Sequence, residues 1–402
     1  MHVCILTTGF PRFRGDLFGA FVLEMARALV AQGTQVTVVA PHEKGIARHE
    51  KIEGISVHRF RYFLPVAGQR VAYGGGIPTN IRSSWLTRVQ IPLFLLAFAW
   101  AARRQGKHCD LYHCQWTTTA AVAWLANLGR RRPILLSVRG SDMKLSDHPM
   151  GERINRWLVQ RADAVTAVSE QISQRLDDHG VENRTQVVAN GVSDRFQPRN
   201  RQEARRSVNL PADVILCLFV GMLVPVKGLD VFVDAVAEVG DKRVLCVLVG
   251  DGPERQVLEE RVAAAGLSDG FLFVGACSSD DVPRWMDACD FLVLPSLSEG
   301  RPNVVLEAHA SGRATLATEV GGTGELIDHE ETGLLVPASD VGALAGALRQ
   351  LIDDPNGRER LGRAARERLL ERQLTWEGTA STMRRLYDRL CGEEPCVASP
   401  AA

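Results

Sequence analysis

The alternation between short apolar runs and longer helical patterns constrains the fold of this chain more than any other feature. Short apolar runs occur at 3–7, 35–40, 110–113, 134–138, 164–168 and 186–188. The segment 18–32 has the periodicity of an amphipathic helix and is followed by Gly33, a residue type that often ends helices. Parallel strands joined by crossover helices have this pattern, so the first half predicts a doubly wound α/β sheet.

The same alternation restarts after an interruption, which indicates a second domain of the same class. Residues 190–210 are polar and basic with prolines near both ends, and they predict a linker with a short helix. Strands are then predicted at 214–220, 243–249, 271–274 and 291–294, with helices at 228–238, 254–265 and 282–288. The predicted organisation is a Rossmann-like domain at 1–195, a linker at 196–212, a second Rossmann-like domain at 213–372 and a disordered tail at 392–402.

Charge is distributed unevenly between the two halves of the chain. Residues 1–200 hold 26 Lys and Arg against 15 Asp and Glu, a net charge of +11, and the remaining residues have 21 against 32, a net charge of −11. The basic half could meet an anionic partner, such as a phospholipid face or a phosphate-bearing acceptor. The alternative is that arginine-rich helix surfaces keep this domain soluble. No nucleic-acid partner is predicted.

Neither a metal site nor a membrane span is predicted. The nine cysteines are scattered without a C-x-x-C pair, which fits a reducing cytosol. The cluster HCDLYHC at 108–114 overlaps a predicted strand, which would send neighbouring side chains to opposite faces and away from a shared zinc. The N-terminus MHVCILTT has the pattern of a buried strand rather than of a signal peptide. The apolar run at 91–102 is too short to cross a bilayer and predicts a core helix, with an interfacial role as the alternative.

Ligands of doubly wound sheets bind beyond the carboxyl ends of the strands. Two sheets that face each other would place the ligand in the cleft between the domains, so the loops after strands are the candidate sites. In the first domain, Gly19 at the start of a helix would let a ligand approach backbone amides closely. The alternative is that Gly19 belongs to a tight packing turn.

Two loops of the second domain carry further candidates. In VGMLVPVKGLD, Gly221 follows a strand and Lys227 lies just before a helix, where an anion such as phosphate would compensate its unfavourable position on the helix dipole. The alternative is a solvated lysine. In VGDGPER, Gly250 and Gly252 resemble a dinucleotide fingerprint that lacks its third glycine, so nicotinamide binding is disfavoured.

The stretch SEGRPNVVLEAHASG at 298–312 places two glutamates around a predicted helix start. Glu299 lies in the loop after a strand, whereas Glu307 lies just over one turn inside the helix Asn303–Ala310. Pro302 suits the first turn of this helix, and the amides of Asn303 and Val304 form an anion site. A ligand with hydroxyls at both ends and phosphates between them, a sugar nucleotide, would satisfy both carboxylates and amides.

With these motifs the chain resembles retaining glycosyltransferases of family 4, which have the GT-B fold of two Rossmann-like domains facing a central cleft. The resemblance is strongest over 214–337, where VGMLVPVKGLD, VGDGPER, ACDFLVLPSLSEGRPNVVLEAHASG, TEVGGTGELI and TGLLVP stand in the family's order. The N-terminal segments FPRFRGDLFGAFVLEMARAL, HCQW and SVRGSD match more loosely. The chain is most similar to bacterial members that build cell-surface polysaccharides.

The resemblance implies a role for each candidate residue. Glu307 is expected to bind the ribose hydroxyls and Glu299 to sit against the donor sugar. Lys227 is expected to hold the diphosphate with the loop at Gly19 and the backbone from Gly300 to Val304, and Asp251 and Gly252 to lie near the nucleotide. The segment 373–391 resembles the family helix that packs back on the first domain.

Two positions depart from the family pattern. Met222 stands where the family usually has an arginine that contacts phosphate, and Arg139 stands where it often has a histidine. We therefore expect Arg139 to compensate by reaching the diphosphate. His113 is the nearest other polar candidate on that side, and a core histidine is its alternative explanation.

The predicted function is transfer of a sugar from a nucleoside diphosphate sugar to a hydroxyl of a glycan or lipid-linked glycan in cell-surface polysaccharide synthesis. Lys227, the helix start and Arg139 are expected to stabilise the leaving diphosphate, so no metal or other cofactor is expected. The expected location is the cytoplasm, or the inner face of the cytoplasmic membrane. The basic first domain favours contact with an anionic membrane. The alternatives are a sugar-nucleotide epimerase of the same fold and a catalytically silent sugar-nucleotide-binding protein.

Overall fold

The computed structural model describes residues 1–74, 77, 80–81, 84–140, 149–177, 180–181 and 184–392, so the predicted disordered tail lies almost entirely outside the described residues. The chain divides into two compact units, one of Met1–Ala189 with Trp376–Ala402 and the other of Asn190–Thr375. Both contain an α/β sheet made of strands that are parallel in the main, which confirms the predicted doubly wound class.

The first unit is built on an eight-stranded sheet with the order β3-β4-β2-β1-β5-β6-β7-β8. All neighbouring strands are parallel except β3, which pairs antiparallel with β4. The strands are β1 (His2–Leu6), β2 (Gln35–Pro41), β3 (His49–Ile52), β4 (Ile55–Phe60), β5 (Leu111–Gln115), β6 (Ile134–Val138), β7 (Ala164–Ala167) and β8 (Thr185–Val187). The helices are α1 (Ala20–Ala31), α2 (Trp85–Gln105), α3 (Thr117–Ala126), α4 (Pro149–Val159) and α5 (Glu170–Asp177).

Helix α2 is longer than the predicted core helix at 91–102. Its 21 residues run through Pro92, and the segment Trp85–His108 is long and apolar enough to cross a membrane by length and composition. One side of α2 nevertheless packs into the protein, where Phe94 and Phe98 lie in the core against Phe60 of β4. A helix with one face in a protein core can have the same length and composition, and the burial of this face fits the predicted core helix.

The second unit is built on a six-stranded parallel sheet with the order β11-β10-β9-β12-β13-β14. Its strands are β9 (Ile215–Val220), β10 (Val244–Val249), β11 (Phe271–Gly275), β12 (Phe291–Leu294), β13 (Ala314–Thr318) and β14 (Leu334–Val336). Its helices are α6 (Arg201–Ser207), α7 (Leu229–Val239), α8 (Arg255–Ala264), α9 (Val282–Ala288), α10 (Asn303–Ala310), α11 (Val341–Asp353) and α12 (Pro355–Glu371). A single apolar core surrounds the central strands.

The predicted linker at 196–212 belongs to the second unit, and this corrects its assignment. Helix α6 in this segment packs on α9. Arg205 of α6 is buried and donates to the carbonyl of Ala288 at 3.0 Å and to the Asp290 carboxylate at 2.6 Å. The polar and basic composition of this segment is typical of a linker, and the sequence does not show that its charges have buried partners.

The last helix, α13 (Trp376–Cys391), belongs to the first unit. It packs on α1, and its buried residues Trp376, Met383 and Tyr387 join the core on that side of the first sheet. The first sheet is therefore covered by α1 and α13 on one face and by α2 and α3 on the other.

Candidate active site

The order of strands in the second unit defines where a ligand is expected. Strand β9 lies between β10 and β12, so the chain leaves β9 toward one side of the sheet and returns on its other side at β12. Ligands of open α/β sheets bind beyond the carboxyl ends of the strands at this kind of switch point. The loops after β9 and β12 carry Lys227 and Glu299, respectively.

Lys227 and Glu299 are in direct contact. The Lys227 ammonium donates to Oε1 of Glu299 at 2.6 Å, and the Ser296 hydroxyl donates to the same oxygen at 2.6 Å. The side chains of Lys227 and Glu299 are only 21% and 11% exposed. The alternative of a solvated Lys227 is therefore wrong, because this cation has a carboxylate partner and is largely withdrawn from water.

The loop that carries Glu299 is held by a turn in the motif TEVGGTGELI at 318–327, for which the sequence predicts no role. Gly321 lies so close to this loop that a Cβ at its position would be 1.7 Å from the carbonyl oxygen of Glu299, and its φ is +56°. The amide of Gly322 donates to the Gly300 carbonyl at 3.0 Å, and the Thr318 hydroxyl donates to the Ser296 carbonyl. These contacts fix the backbone on both sides of Glu299, which is the rigidity that a binding carboxylate requires.

The glycines predicted near the nucleotide interlock two loops. Gly250 has a φ of +147°, and a Cβ there would be 1.8 Å from the carbonyl oxygen of Gly221. A Cβ at Gly252 would be 2.3 Å from the carbonyl oxygen of Leu223. The Asp251 carboxylate accepts from the Gly252 amide at 2.8 Å. Close packing between the loops after β9 and β10 thus requires these glycines, whether or not a ligand is bound.

Met222 belongs to the loop after β9, and more than half of the residue is exposed. A thioether has no charge to offer a phosphate. Met222 therefore cannot supply the cationic contact that the resemblance leads one to expect at this position.

Helix α10 begins with backbone amides that no side chain caps. The helix has the predicted bounds Asn303–Ala310, Pro302 is the residue that directly precedes it, and the first turn contains no acidic side chain. The Asn303 side chain does not cap the helix amides, because its Oδ1 accepts a hydrogen bond from Nδ2 of Asn190 at 2.9 Å. The first amides of the helix, including those of Asn303 and Val304, are the groups that bind anions at helix N-termini.

Glu307 has an environment unlike that of Glu299. Burial raises the pKa of Glu307 to about 7, although the charge of Arg195 opposes this rise. Among the residues that the structure describes, none donates a side-chain hydrogen bond to its carboxylate. Glu307 is only partly buried. A carboxylate that loses much of its water on folding and has no protein donor gains from a ligand that brings hydroxyl groups.

In the first unit, the structure favours the packing explanation of Gly19. Its φ is +75°, and a Cβ there would be 2.3 Å from the carbonyl oxygen of Gly9. Gly19 directly precedes α1, so this contact sets the entry of the chain into that helix. The need for glycine at this position is therefore explained by the backbone of residue 9, and ligand binding by the loop stays a prediction.

Arg139 is held by groups on two neighbouring elements. Its Nε and Nη2 donate to Oε1 of Gln115 at 3.2 and 2.8 Å, and its guanidinium lies 4.0 Å from the centre of the Phe21 ring. The Phe21 ring contacts Trp116 edge to face at 5.7 Å. Hydrogen bonds and stacking on an aromatic face restrict this guanidinium to a narrow range of orientations.

His113 is fully buried, which argues against its predicted direct catalytic role. Its Nδ1 lies 2.7 Å from the Tyr387 hydroxyl, and its Nε2 lies 2.8 Å from Ser137 Oγ and 3.0 Å from Gln115 Nε2. Because the Gln115 amide donates to Nε2, the proton of the ring is assigned to Nδ1. Burial, with a smaller effect of Arg139, lowers the pKa of His113 to about 3, so the ring is neutral. Its hydrogen bond to Gln115 connects it indirectly to Arg139.

The cysteine and histidine cluster at 108–114 does not assemble around one point. His113 belongs to the network just described, whereas Cys114 lies in the core beneath α2 and α3 and is a free thiol. In the described part of the chain, no group of three His, Cys, Asp or Glu residues is placed to hold a metal ion.

Comparisons of the sequence with known families cover both units. The family described as "Glycosyl transferase 4-like domain" matches residues 18–191, and that described as "Glycosyl transferases group 1" matches residues 200–368. The D-inositol 3-phosphate glycosyltransferase of Streptomyces avermitilis is 32% identical over 313 residues, which cover 70% of this chain and 67% of that protein. The 2-deoxystreptamine glucosyltransferase of Streptomyces kanamyceticus is 28% identical over 93% of this chain and 99% of its own length.

Solved structures agree in fold. Sucrose-phosphate synthase from Thermosynechococcus elongatus superposes with a TM-score of 0.84 at 24% identity, covering 98% of this chain and all of that one. HepE from Anabaena, solved in complex with UDP and glucose, has a TM-score of 0.76 at 19% identity and covers 97% of this chain and all of its own. At these sequence identities the structural similarity shows the fold alone, which is the GT-B fold.

Proposed function

The chain belongs to the glycosyltransferases that combine a 4-like domain with a group 1 domain, and from this membership we propose that it is a retaining enzyme of family 4. The proposed donor is a nucleoside diphosphate sugar, and the proposed acceptor is a hydroxyl of a glycan or lipid-linked glycan destined for a cell-surface polysaccharide. Relatives named as transferring sugars to small cyclic alcohols support a hydroxyl as the acceptor group.

The observation that carries the proposal is the Lys227–Glu299 pair beside the uncapped start of α10. A cation and amides that suit a diphosphate, and carboxylates that suit hydroxyls, occur together in the loops after β9 and β12 and at the start of α10. Glu307, about one turn into the same helix, is the proposed ligand of the ribose hydroxyls. The amides alone would be enough to bind a free phosphate. The two carboxylates accept hydrogen bonds from hydroxyls, so they favour a phosphate ester that has hydroxyls at both ends.

In the proposed reaction, the bond between the anomeric carbon and the diphosphate oxygen breaks, and the acceptor oxygen bonds to the same face of that carbon. The acceptor proton passes to the leaving diphosphate. Lys227 exchanges Glu299 for a phosphate oxygen, and the amides of α10 share the charge that develops there. Donors of this kind contribute about 10²–10³ each to rates in other enzymes. The released Glu299 carboxylate then accepts hydrogen bonds from the donor sugar.

The remaining roles also belong to this proposal. Arg139 would supply the positive charge that Met222 does not, and His113 would act on it through Gln115 as a positioning residue. Stabilisation of the leaving group by cations and amides would allow the reaction to proceed without metal. We place the protein in the cytoplasm or at the inner face of the cytoplasmic membrane, where nucleotide sugars and lipid-linked acceptors meet.

The proposal is tested by incubating the purified chain with a panel of nucleoside diphosphate sugars, with and without lipid-linked acceptors. We expect slow donor hydrolysis alone and a glycosylated product with acceptor. Glu299→Ala should bind the nucleotide yet lose turnover. An isomerised donor without acceptor dependence would identify an epimerase, and thermal stabilisation by donor without any turnover would identify a silent binding protein.

A further inference from the structure

Helix α2 has an exposed apolar face that the proposed reaction does not use. Large side chains on one side of the helix are 47% to 70% exposed and follow helical spacing, namely Trp85, Val89, Leu93, Leu96 and Trp100. The opposite side is buried against β4 and α3, with Phe94 and Phe98 in the core. By contrast, α1 and α13 on the other face of the sheet carry no exposed large hydrophobic side chain in their described residues.

A basic cavity of about 530 Å³ opens at the C-terminal end of this apolar face. Trp100 belongs to both, and Arg48, Arg61, Arg104 and Lys107 line the cavity with it. None of the described residues that line it is acidic, and none of these four cations has a described carboxylate within ion-pair distance. The Arg104 guanidinium lies 5.5 Å from the Trp100 ring centre. The positive charge of this cavity therefore suits an anion that lies beside an apolar surface.

The neighbouring helices of this layer extend the pattern. Trp124 of α3 meets Trp157 of α4 edge to face at 5.2 Å, and the guanidinium of Arg161 lies 3.6 Å from the Trp157 ring centre. Both tryptophan side chains are more than a third exposed. Exposed tryptophan rings accompanied by arginines are typical of surfaces that lie at the boundary between apolar and aqueous phases.

We propose that the surface formed by α2, α3 and α4 binds an anionic phospholipid bilayer, with the apolar face of α2 and the basic cavity as its main contacts. The helix lies in the interface with Leu93 and Leu96 toward the acyl chains, while a lipid phosphate enters the cavity beside Trp100. Helix α2 does not span the bilayer, because its other face holds the core of the first unit. A second copy of the chain is a poorer occupant, since a symmetric contact would bring these unpaired cations together.

The test is flotation of the full chain with vesicles of phosphatidylglycerol mixed with phosphatidylcholine, and with vesicles of phosphatidylcholine alone. We expect binding to the anionic vesicles that weakens with salt, and little binding to the neutral ones. The double variant L93Q/L96Q and the double variant R104E/K107E should each lower binding by about tenfold or more. The matched control is Val257→Gln, which changes a side chain of similar exposure on α8 and should bind as the parent does.

Absence of binding to anionic vesicles, or equal loss in Val257→Gln, would overturn the proposal. Sedimentation velocity without lipid distinguishes the other occupant, since a dimer that L93Q/L96Q dissociates would assign this face to a second copy. Turnover with a soluble acceptor should be unchanged in both double variants, because these residues are outside the proposed active site. Vesicle binding requires no sugar transfer, so its outcome is independent of the proposed function.

Discussion

The two units hold their candidate functional groups in different ways. In the second unit, Lys227 and Glu299 lie in loops directly after strands, and close backbone packing at Gly250 and Gly321 fixes those loops. In the first unit, Arg139 is held through a chain of side chains that passes from Gln115 to His113 and ends at Tyr387. Backbone packing thus orients one set and buried hydrogen bonds orient the other, so the two should respond differently to substitution.

The largest expected effect is in the second unit. Lys227→Ala removes the cation from the switch point and leaves Glu299 without its partner. If the ammonium stabilises the leaving diphosphate, turnover should fall by about 10²–10³, with a smaller loss of donor affinity. Steady-state kinetics with donor and acceptor measure both values. The exposed Lys242 of the same unit provides the control, since Lys242→Ala should retain parental rates. Equal turnover in Lys227→Ala and the parent would show that the pair is structural only.

Arg139→Ala tests the corresponding cation of the first unit. Because several donors share the charge of a leaving group, we expect a smaller loss than for Lys227, on the order of tenfold to a hundredfold in turnover. Arg139→Lys should keep the positive charge but lose the paired N–H groups that bind Gln115. Its turnover should therefore lie between those of Arg139→Ala and the parent. If donor affinity and turnover were unchanged in Arg139→Ala, the predicted compensation for Met222 would be wrong.

The contrast between the units also explains what could be predicted from the sequence. Periodicity predicted the central strands, because parallel strands buried on both faces are continuous apolar runs. It missed the β3–β4 hairpin, since the HEKI strand is largely exposed, and it missed β13 and β14. Loop position identified Lys227 and Glu299, but not their contact, which joins residues 72 positions apart. The His113–Tyr387 hydrogen bond spans 274 positions, and local sequence has no signal for such a partner.

Glu307 provides a test that depends on pH. Its pKa of about 7 in the folded chain lies above the ordinary 4.5, so the folded state keeps a proton that the unfolded state loses between these values. Stability should therefore fall as pH rises from about 4.5 to 7, and this cost persists above pH 7. Glu307→Gln removes the cost and should be more stable than the parent at pH 8 by about 1–3 kcal/mol, with little difference at pH 4.5.

The same substitution should weaken nucleotide binding by about tenfold, because the neutral amide is a poorer acceptor for ribose hydroxyls. Thermal unfolding at the two pH values and nucleotide titration measure these opposite effects. Glu260→Gln, at an exposed site on α8, is the control and should change neither. A Glu307→Gln variant that loses stability at pH 8 would contradict the assignment of Glu307 as a carboxylate that folding partly removes from water without supplying a donor.

The smallest expected effect separates positioning from stability in the first unit. Tyr387→Phe deletes the hydroxyl that faces His113 Nδ1 and leaves a buried N–H without its acceptor, at a cost of about 1–3 kcal/mol in the free energy of unfolding. Tyr112→Phe is matched, since it removes another buried hydroxyl, one that donates to the Ala102 carbonyl at 3.2 Å and lies outside the network. Both variants should lose similar stability.

Only Tyr387→Phe should lower turnover, by about twofold to tenfold. Without the Tyr387 hydroxyl the His113 ring is less firmly held, so Gln115 and Arg139 are held less firmly as well. Combining Tyr387→Phe with Arg139→Ala should add nothing to the rate loss of Arg139→Ala alone, since the network acts through that arginine. Additive losses, or equal effects of the two tyrosine substitutions on turnover, would reduce the network to a structural element.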